Sequence, residues 1–406
     1  MKPVLKVAAV LVLSALVHQA HADSTVTASQ INQSQHNATN FQSMDLGVAT
    51  QATAAATSVT SATGVSQSQD GSNGIQTLSA GAATSQGLGA TSSVTTLSNV
   101  SQSQSGDGST QNASFGSVGI LSTGYAGYSG SGISNTIVTN TTQTQSAGTS
   151  TQALDVGTVN NAGSVGTSNS TVDAFNQTQS GSGNTQNAVI GHVYALGYSP
   201  VTVNSAVSNV SQSQSGSNGS QTLTAGLGYS NFVGAVTVNS TLSGMSQSQS
   251  GNGSTQASTF GSAASTGGTA DATVTANNVT QSQAADGSNQ SFTAGLANAT
   301  GGGNAATTTN VANISQSQSA TGSNQLASVG QALGNVGSAT VMASVTNFAQ
   351  TQAGSNNLQS AIIGSAAGGQ FNANVIVAAD TINQAQDGSG GSQKLRIGVD
   401  QAAVAP

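Results

Sequence analysis

The sequence predicts an all-β chain: a cross-β β-solenoid of stacked strand–turn–strand rungs, each 34 or 35 residues long. Three observations predict it. A Gln-x-Gln pair returns eleven times, and nine of the ten intervals are 34 or 35 residues. A third glutamine follows each pair by seven residues, and a glycine follows that glutamine by five. The residue two places before each pair is apolar in ten of the eleven copies. Apolar residue and glutamines therefore recur with the period of two that marks one face of a strand.

The chain opens with a basic stretch at Lys2 and Lys6, an apolar run from Val7 to Val17 and the small-residue site Ala20-His21-Ala22. This is the pattern of a secretory signal peptide over residues 1–22, cut before Asp23. The run is shorter than the ~20 residues a membrane-spanning helix needs. Residues 23–406 are then expected to form one eleven-repeat β-solenoid domain, because repeats add rungs rather than domains.

Each unit begins with the strand Φ-x-Gln-x-Gln. Its pairs are Gln33 and Gln35, Gln67 and Gln69, Gln102 and Gln104, Gln143 and Gln145, Gln177 and Gln179, Gln212 and Gln214, Gln247 and Gln249, Gln281 and Gln283, Gln316 and Gln318, Gln350 and Gln352, and Gln384 and Gln386. Ser101, Ser103 and their counterparts take the opposite face. A tight turn such as Ser105-Gly106-Asp107-Gly108-Ser109 follows, where Gly accepts positive φ and Asp and Ser bond their own backbone. The second strand opens at the third glutamine: Gln42, Gln76, Gln111, Gln152, Gln186, Gln221, Gln256, Gln290, Gln325, Gln359 and Gln393. In Gln111-x-Ala113-x-Phe115 it again shares a face with small or apolar residues, and the recurring glycine ends or bends the strand. The return arc varies. The one 41-residue interval places six extra residues around Ser122 to Ser134, and Pro200 falls in another arc. All five tyrosines (Tyr125, Tyr128, Tyr194, Tyr198 and Tyr229) lie at or near arcs. Runs such as Val236-Thr237-Val238 leave a third short strand per unit open.

An unpaired buried amide costs about 1–3 kcal/mol, so scattered glutamines on an apolar face would unfold the chain. Rungs stacked ~4.8 Å apart let each amide donate to its twin on one side and accept from its twin on the other. In-step repetition is what such a ladder requires. Ile31 lies eight residues after the predicted cleavage, and eight residues follow Gly398, so neither end is expected to carry a capping domain. Open strand edges invite another copy, and head-to-tail self-association is expected.

Composition excludes much else. Charged residues are 4% of the chain, against roughly 25% in typical soluble domains. Without cysteine there is no disulfide framework and no thiolate metal site. After cleavage two cations, Lys394 and Arg396, face eleven Asp, a formal charge of −9 and a poor match for nucleic acid. No later stretch suits stable membrane insertion. His36 and His192 are isolated, the glycine turns lack the lysine and helix of a phosphate loop, and Asp enters only a minority of turns (Asp70, Asp107, Asp286, Asp387). No catalytic group, metal or cofactor is expected.

The segments Gln104-Ser105-Gly106-Asp107-Gly108-Ser109 and Gln179-Ser180-Gly181-Ser182-Gly183-Asn184 resemble the curlin repeat of bacterial curli fibres. The repeat length is nearer that of Fap-type fibril proteins. The resemblance implies a secreted functional amyloid with β-solenoid subunits, which makes residues 23–406 an amyloid domain. It also implies a nucleator and an outer-membrane export machinery as partners. The expected function is a secreted structural subunit that polymerises into extracellular amyloid-like fibres, pilus-like in role, for biofilm matrix, surface adhesion and cell aggregation. A monomeric β-solenoid adhesin and an ice-binding protein are the alternatives.

Overall fold

The computed structural model describes residues 21–36, 41–51, 55–70, 74–86, 89–105, 110–120, 130–146, 151–161, 165–180, 185–215, 220–250, 255–284, 289–319, 324–353, 358–369, 372–387 and 392–402. Every regular element among them is a strand, and no helix is long and apolar enough to cross a membrane. The chain is a β-solenoid of two parallel sheets. One sheet stacks eleven long strands: His21–His36, Ala55–Asp70, Thr91–Ser105, Ser131–Ser146, Val165–Ser180, Val201–Ser215, Val236–Ser250, Ala270–Ala284, Ala305–Ser319, Ala339–Ala353 and Ala373–Asp387. The other stacks the shorter strands: Phe41–Gln51, Ile75–Ser85, the split Thr110–Phe115 and Val118–Ile120, Thr151–Asn161, Thr185–Ala195, Ser220–Ser230, Thr255–Ser265, Asn289–Ala299, Asn324–Gly334, Leu358–Gly368 and Ser392–Ala402. The chain crosses between sheets at every strand, so one long and one short strand make a rung. Rungs are numbered 1 to 11 from the N-terminus.

Each strand pairs only with its own equivalents above and below. Gln212, for example, lies in register between Gln177 and Gln247. The 41-residue interval leaves this register intact, since Gln102 still pairs with Gln143. Ser131 already belongs to a strand, so the extra residues precede it, and 121–129 lie outside the described residues. Pro200 sits just before the strand Val201–Ser215, where its missing N–H removes no ladder bond.

The recurring glycine bends the short strand rather than ending it. All eleven, from Gly47 to Gly398, have positive φ within or between paired strand segments. The long strand bends too, at a second left-handed residue three places before each first glutamine. These are Gln30, Gly64, Asn99, Asn140, Ala174, Asn209, Gly244, Asn278, Asn313, Asn347 and Thr381, with φ from 52° to 72°. The bend residue drops out of the ladder and inverts the alternation. Val201, Val203 and Val207 point inward before Asn209, and Val210, Gln212 and Gln214 after it. The Thr/Val runs of the return arc are thus the first half of the long strand, not a third strand.

The core is one continuous column. The apolar position before each glutamine pair is almost wholly buried from Val65 to Phe348. Large side chains in the column often sit beside small ones. Phe115 shares its rung with Ala113, Phe175 with Ala188, Phe260 with Ser258, Phe292 with Ala294 and Phe348 with Ala361, all buried. Setting a large side chain beside a small one limits the spread of volume between rungs, which helps keep one outline along the stack.

The predicted cleavage point falls inside the first strand, where His21 and Ala22 pair with Ala55 and Ala56. A chain beginning at Asp23 keeps the rest of that strand. Residues 1–20 lie outside the described residues, as do most residues of the tight turns, including Gly106-Asp107-Gly108 and Asp286.

Candidate assembly site: glutamine ladders and terminal rungs

The structure places all three predicted glutamine sets on the inner face. The first column runs unbroken from Gln33 to Gln384. Each Nε2 donates to the Oε1 of the preceding rung at 2.7–2.9 Å. The third column, Gln42 to Gln393, does the same at 2.7–3.0 Å. The middle column, next to the tight turn, is looser. Its ladder bonds are 3.2–3.4 Å, as from Gln104 to Gln69, Gln249 to Gln214 and Gln352 to Gln318. Gln35 Oε1, at its start, is buried without a donor.

In the first and third columns of rungs 1 to 10 the second hydrogen of Nε2 ties the two sheets together. In the first column it goes to a short-strand carbonyl of the same rung, Gln212 to Thr222 O at 3.2 Å. In the third it goes to a long-strand carbonyl of the next rung, Gln221 to Ser248 O at 3.3 Å. A carbonyl oxygen demands a donor, so the atom facing it is the nitrogen and the amide has one orientation. The ladder therefore has a direction. Amide N–H groups point toward the N-terminal end of the stack and amide oxygens toward the C-terminal end.

Among the described residues the columns stop at rungs 1 and 11. Gln42 Nε2 has its bond to Ser68 O but no rung below it among the described residues, and Gln384 and Gln393 have no rung above. Ala28 and Ile31 at one end, and Ala373, Val375, Val377 and Ile382 at the other, pack on the core while only partly buried. Leu395 and Ile397 of the last short strand are 42% and 46% exposed.

Several contributors carry no glutamine signal. Inward serines opposite the glycine bends donate to the glycine carbonyls, as Ser93 to Gly81 O and Ser134 to Gly116 O, both at 2.5 Å. Their Ser-x-Thr spacing, seen in Ser93-x-Thr95 and Ser134-x-Thr136, was the available clue. Asparagines make shorter ladders outside the core, along Asn135, Asn169, Asn204 and Asn239 at 2.7–2.9 Å, and at the bends from Asn140 to Asn99 and Asn347 to Asn313. At the Ala174 bend Asp173 accepts from Ser208 and Asn209, which hold its carboxyl below the usual carboxylate value.

His192 lies half-buried beside Asp155. Burial lowers the imidazole pKa against the pull of Asp155, and burial raises Asp155 against the pull of His192 and the Thr158 hydroxyl. No group of three or more His, Cys, Asp or Glu that could hold a metal occurs among the described residues. Tyr194 stacks on Tyr229 at 5.0 Å, and Tyr198 on Phe232 at 5.3 Å, near adjacent arcs, whereas Tyr125 and Tyr128 lie outside the described residues.

No protein-family model, curated protein or solved structure matches the chain. The likeness to curlin repeats rests on the repeat motif itself.

Proposed function

We propose that the protein is a secreted structural subunit that stacks end to end into amyloid-like fibres outside the cell, serving matrix, adhesion or aggregation. The observation that carries this reading is the state of the two terminal rungs. Among the described residues both leave ladder positions, strand edges and apolar side chains without a further rung, the kind of edge on which another strand can add. The signal-peptide pattern, the sparse charge and the curlin-like motif support it. In this reading a nucleator and an export machinery act before assembly, and the chain needs no cofactor.

The test is incubation of purified residues 23–406 at rising concentration, followed by electron microscopy, amyloid-dye binding and sedimentation. Unbranched dye-binding fibres with an axial reflection near ~4.8 Å are expected. A chain that remains monomeric at high concentration overturns the reading.

A second reading has an observation of its own. Tyr198 is 63% exposed and stacks on Phe232, beside Val233 at 60% exposure, which makes an exposed aromatic surface in the middle of the stack. A monomeric adhesin would use that surface for a ligand. Tyr198→Ala with Phe232→Ala would then abolish surface binding, while the fibre reading expects elongation to continue.

A further inference from the structure

Resting on the stacking proposed above, we infer that successive copies join in a single register. Rung 11 of one copy takes the place below rung 1 of the next, and Arg396 pairs with Asp45 across the junction. Setting Gln384 against Gln33 and Gln393 against Gln42 fixes every other position. Ile382 meets Ile31, Leu395 meets Met44 and Ile397 meets Leu46, so the apolar columns continue. The left-handed residues coincide as well, Thr381 on Gln30 and Gly398 on Gly47. A slip by one residue would turn inner faces outward, and a slip by two would part the bends.

Polarity selects the partner face. Gln33 Nε2 bonds Ser43 O and Gln42 Nε2 bonds Ser68 O, each leaving one hydrogen for a rung below. The amide oxygens of Gln384 and Gln393 are the matching acceptors. Joining two like ends would set donor against donor or acceptor against acceptor.

Charge selects the register. The only Lys or Arg among the described residues are Lys394 and Arg396, both in the last short strand and both exposed. In the inferred register Arg396 stands over Asp45, also exposed. Neighbouring strands lie about 4.8 Å apart, within reach of a guanidinium and a carboxylate.

One contact opposes docking. Asp400 stands over Ala366, which is fully buried, so it occupies an inward position. In the junction it meets Ala49 of the next copy, and burying that carboxylate is costly. Asp400 is then a brake on assembly.

The test measures seeded elongation of residues 23–406 carrying Arg396→Asp, Asp45→Arg, both, or Asp400→Asn. Both charge-swap sites are exposed, so thermal unfolding of the monomers should be unchanged. Each single swap places like charges together and should slow elongation by roughly three- to thirtyfold. The double swap should recover the wild-type rate within about twofold, and Asp400→Asn should speed elongation. Unslowed single swaps, an unrescued double swap, or no acceleration by Asp400→Asn overturns the register while wild-type fibres still form. Absence of wild-type fibres overturns the stacking reading, and the register with it.

Discussion

At Gln212 one amide nitrogen serves two acceptors, Gln177 Oε1 at 2.7 Å and Thr222 O at 3.2 Å, and its oxygen accepts from Gln247 at 2.7 Å. Gln212→Leu would orphan the Gln177 oxygen and a Gln247 hydrogen in a dry core, at about 1–3 kcal/mol for each group. Gln214→Leu should cost less, because its bond from Gln249 is 3.2 Å and its column is looser throughout. Ser211→Ala with Ser213→Ala should stay within about 0.5 kcal/mol, as expected of outward positions. Hydrogen exchange around rungs 5 to 7 would rank the three, and equal losses would contradict the inner placement of the glutamines. Thr141 is the one polar residue in the apolar column. Its Oγ1 is buried without a partner, between Val100 and Phe175 in the ladder. Thr141→Val keeps the shape and removes the orphan, so it should stabilise rung 4 by about 1–2 kcal/mol, read as slower local exchange. At this scale the inward phase of the glutamines was legible, because they keep step with Val210 and Phe175. The buried serines carried only the weak Ser-x-Thr clue, since Ser93 and Ser134 otherwise look like any of the abundant serines.

Each rung is two bent strands, and only one bend could be read ahead. The glycine column has a single letter in all eleven copies, so its special backbone was visible. The bend in the long strand is Asn in six copies but Gln30, Gly64, Ala174, Gly244 and Thr381 in the others. Its physical requirement, a left-handed residue, is met by several side chains at a modest cost, so no one letter marks it. Beyond Asn209 toward the N-terminus the inward parity flips, which is why the Val/Thr runs looked out of phase and suggested a separate strand. The glycine bend also meets a packing requirement. A Cβ on Gly116 would fall on Thr136 Oγ1, while one on Gly398 would meet nothing within 4 Å. Gly116→Ala should therefore destabilise by about 2–4 kcal/mol, combining left-handed strain with displacement of Thr136. Gly398→Ala should cost only the strain, about 1–2 kcal/mol. Its larger effect should be on elongation, because the inferred junction brings Val26 of the next copy to that spot. Denaturation of the monomer and seeded growth separate the two effects. Equal monomer losses would contradict the one-sided packing.

Over the whole molecule, the repeat revealed the stack and its register, including the passage of the 41-residue interval without a slip. Direction was not legible. It depends on which carbonyl each amide faces, and that follows from the distance between two sheets rather than from spacing along the chain. The placement of charge was visible, yet its meaning was not. In the sequence Lys394 and Arg396 are only two cations against eleven Asp, whereas in the inferred junction Arg396 stands over Asp45. In the proposed fibre the glutamine columns are the spine of the stack and pass from one molecule to the next without a gap. A helical reconstruction of the assembled protein by electron cryo-microscopy measures this directly. Eleven rungs at the β spacing predict an axial rise of about 53 Å per molecule, with Gln384 against Gln33 and Gln393 against Gln42 at each junction. A longer rise, a break in density between molecules, or like ends joined together would contradict it.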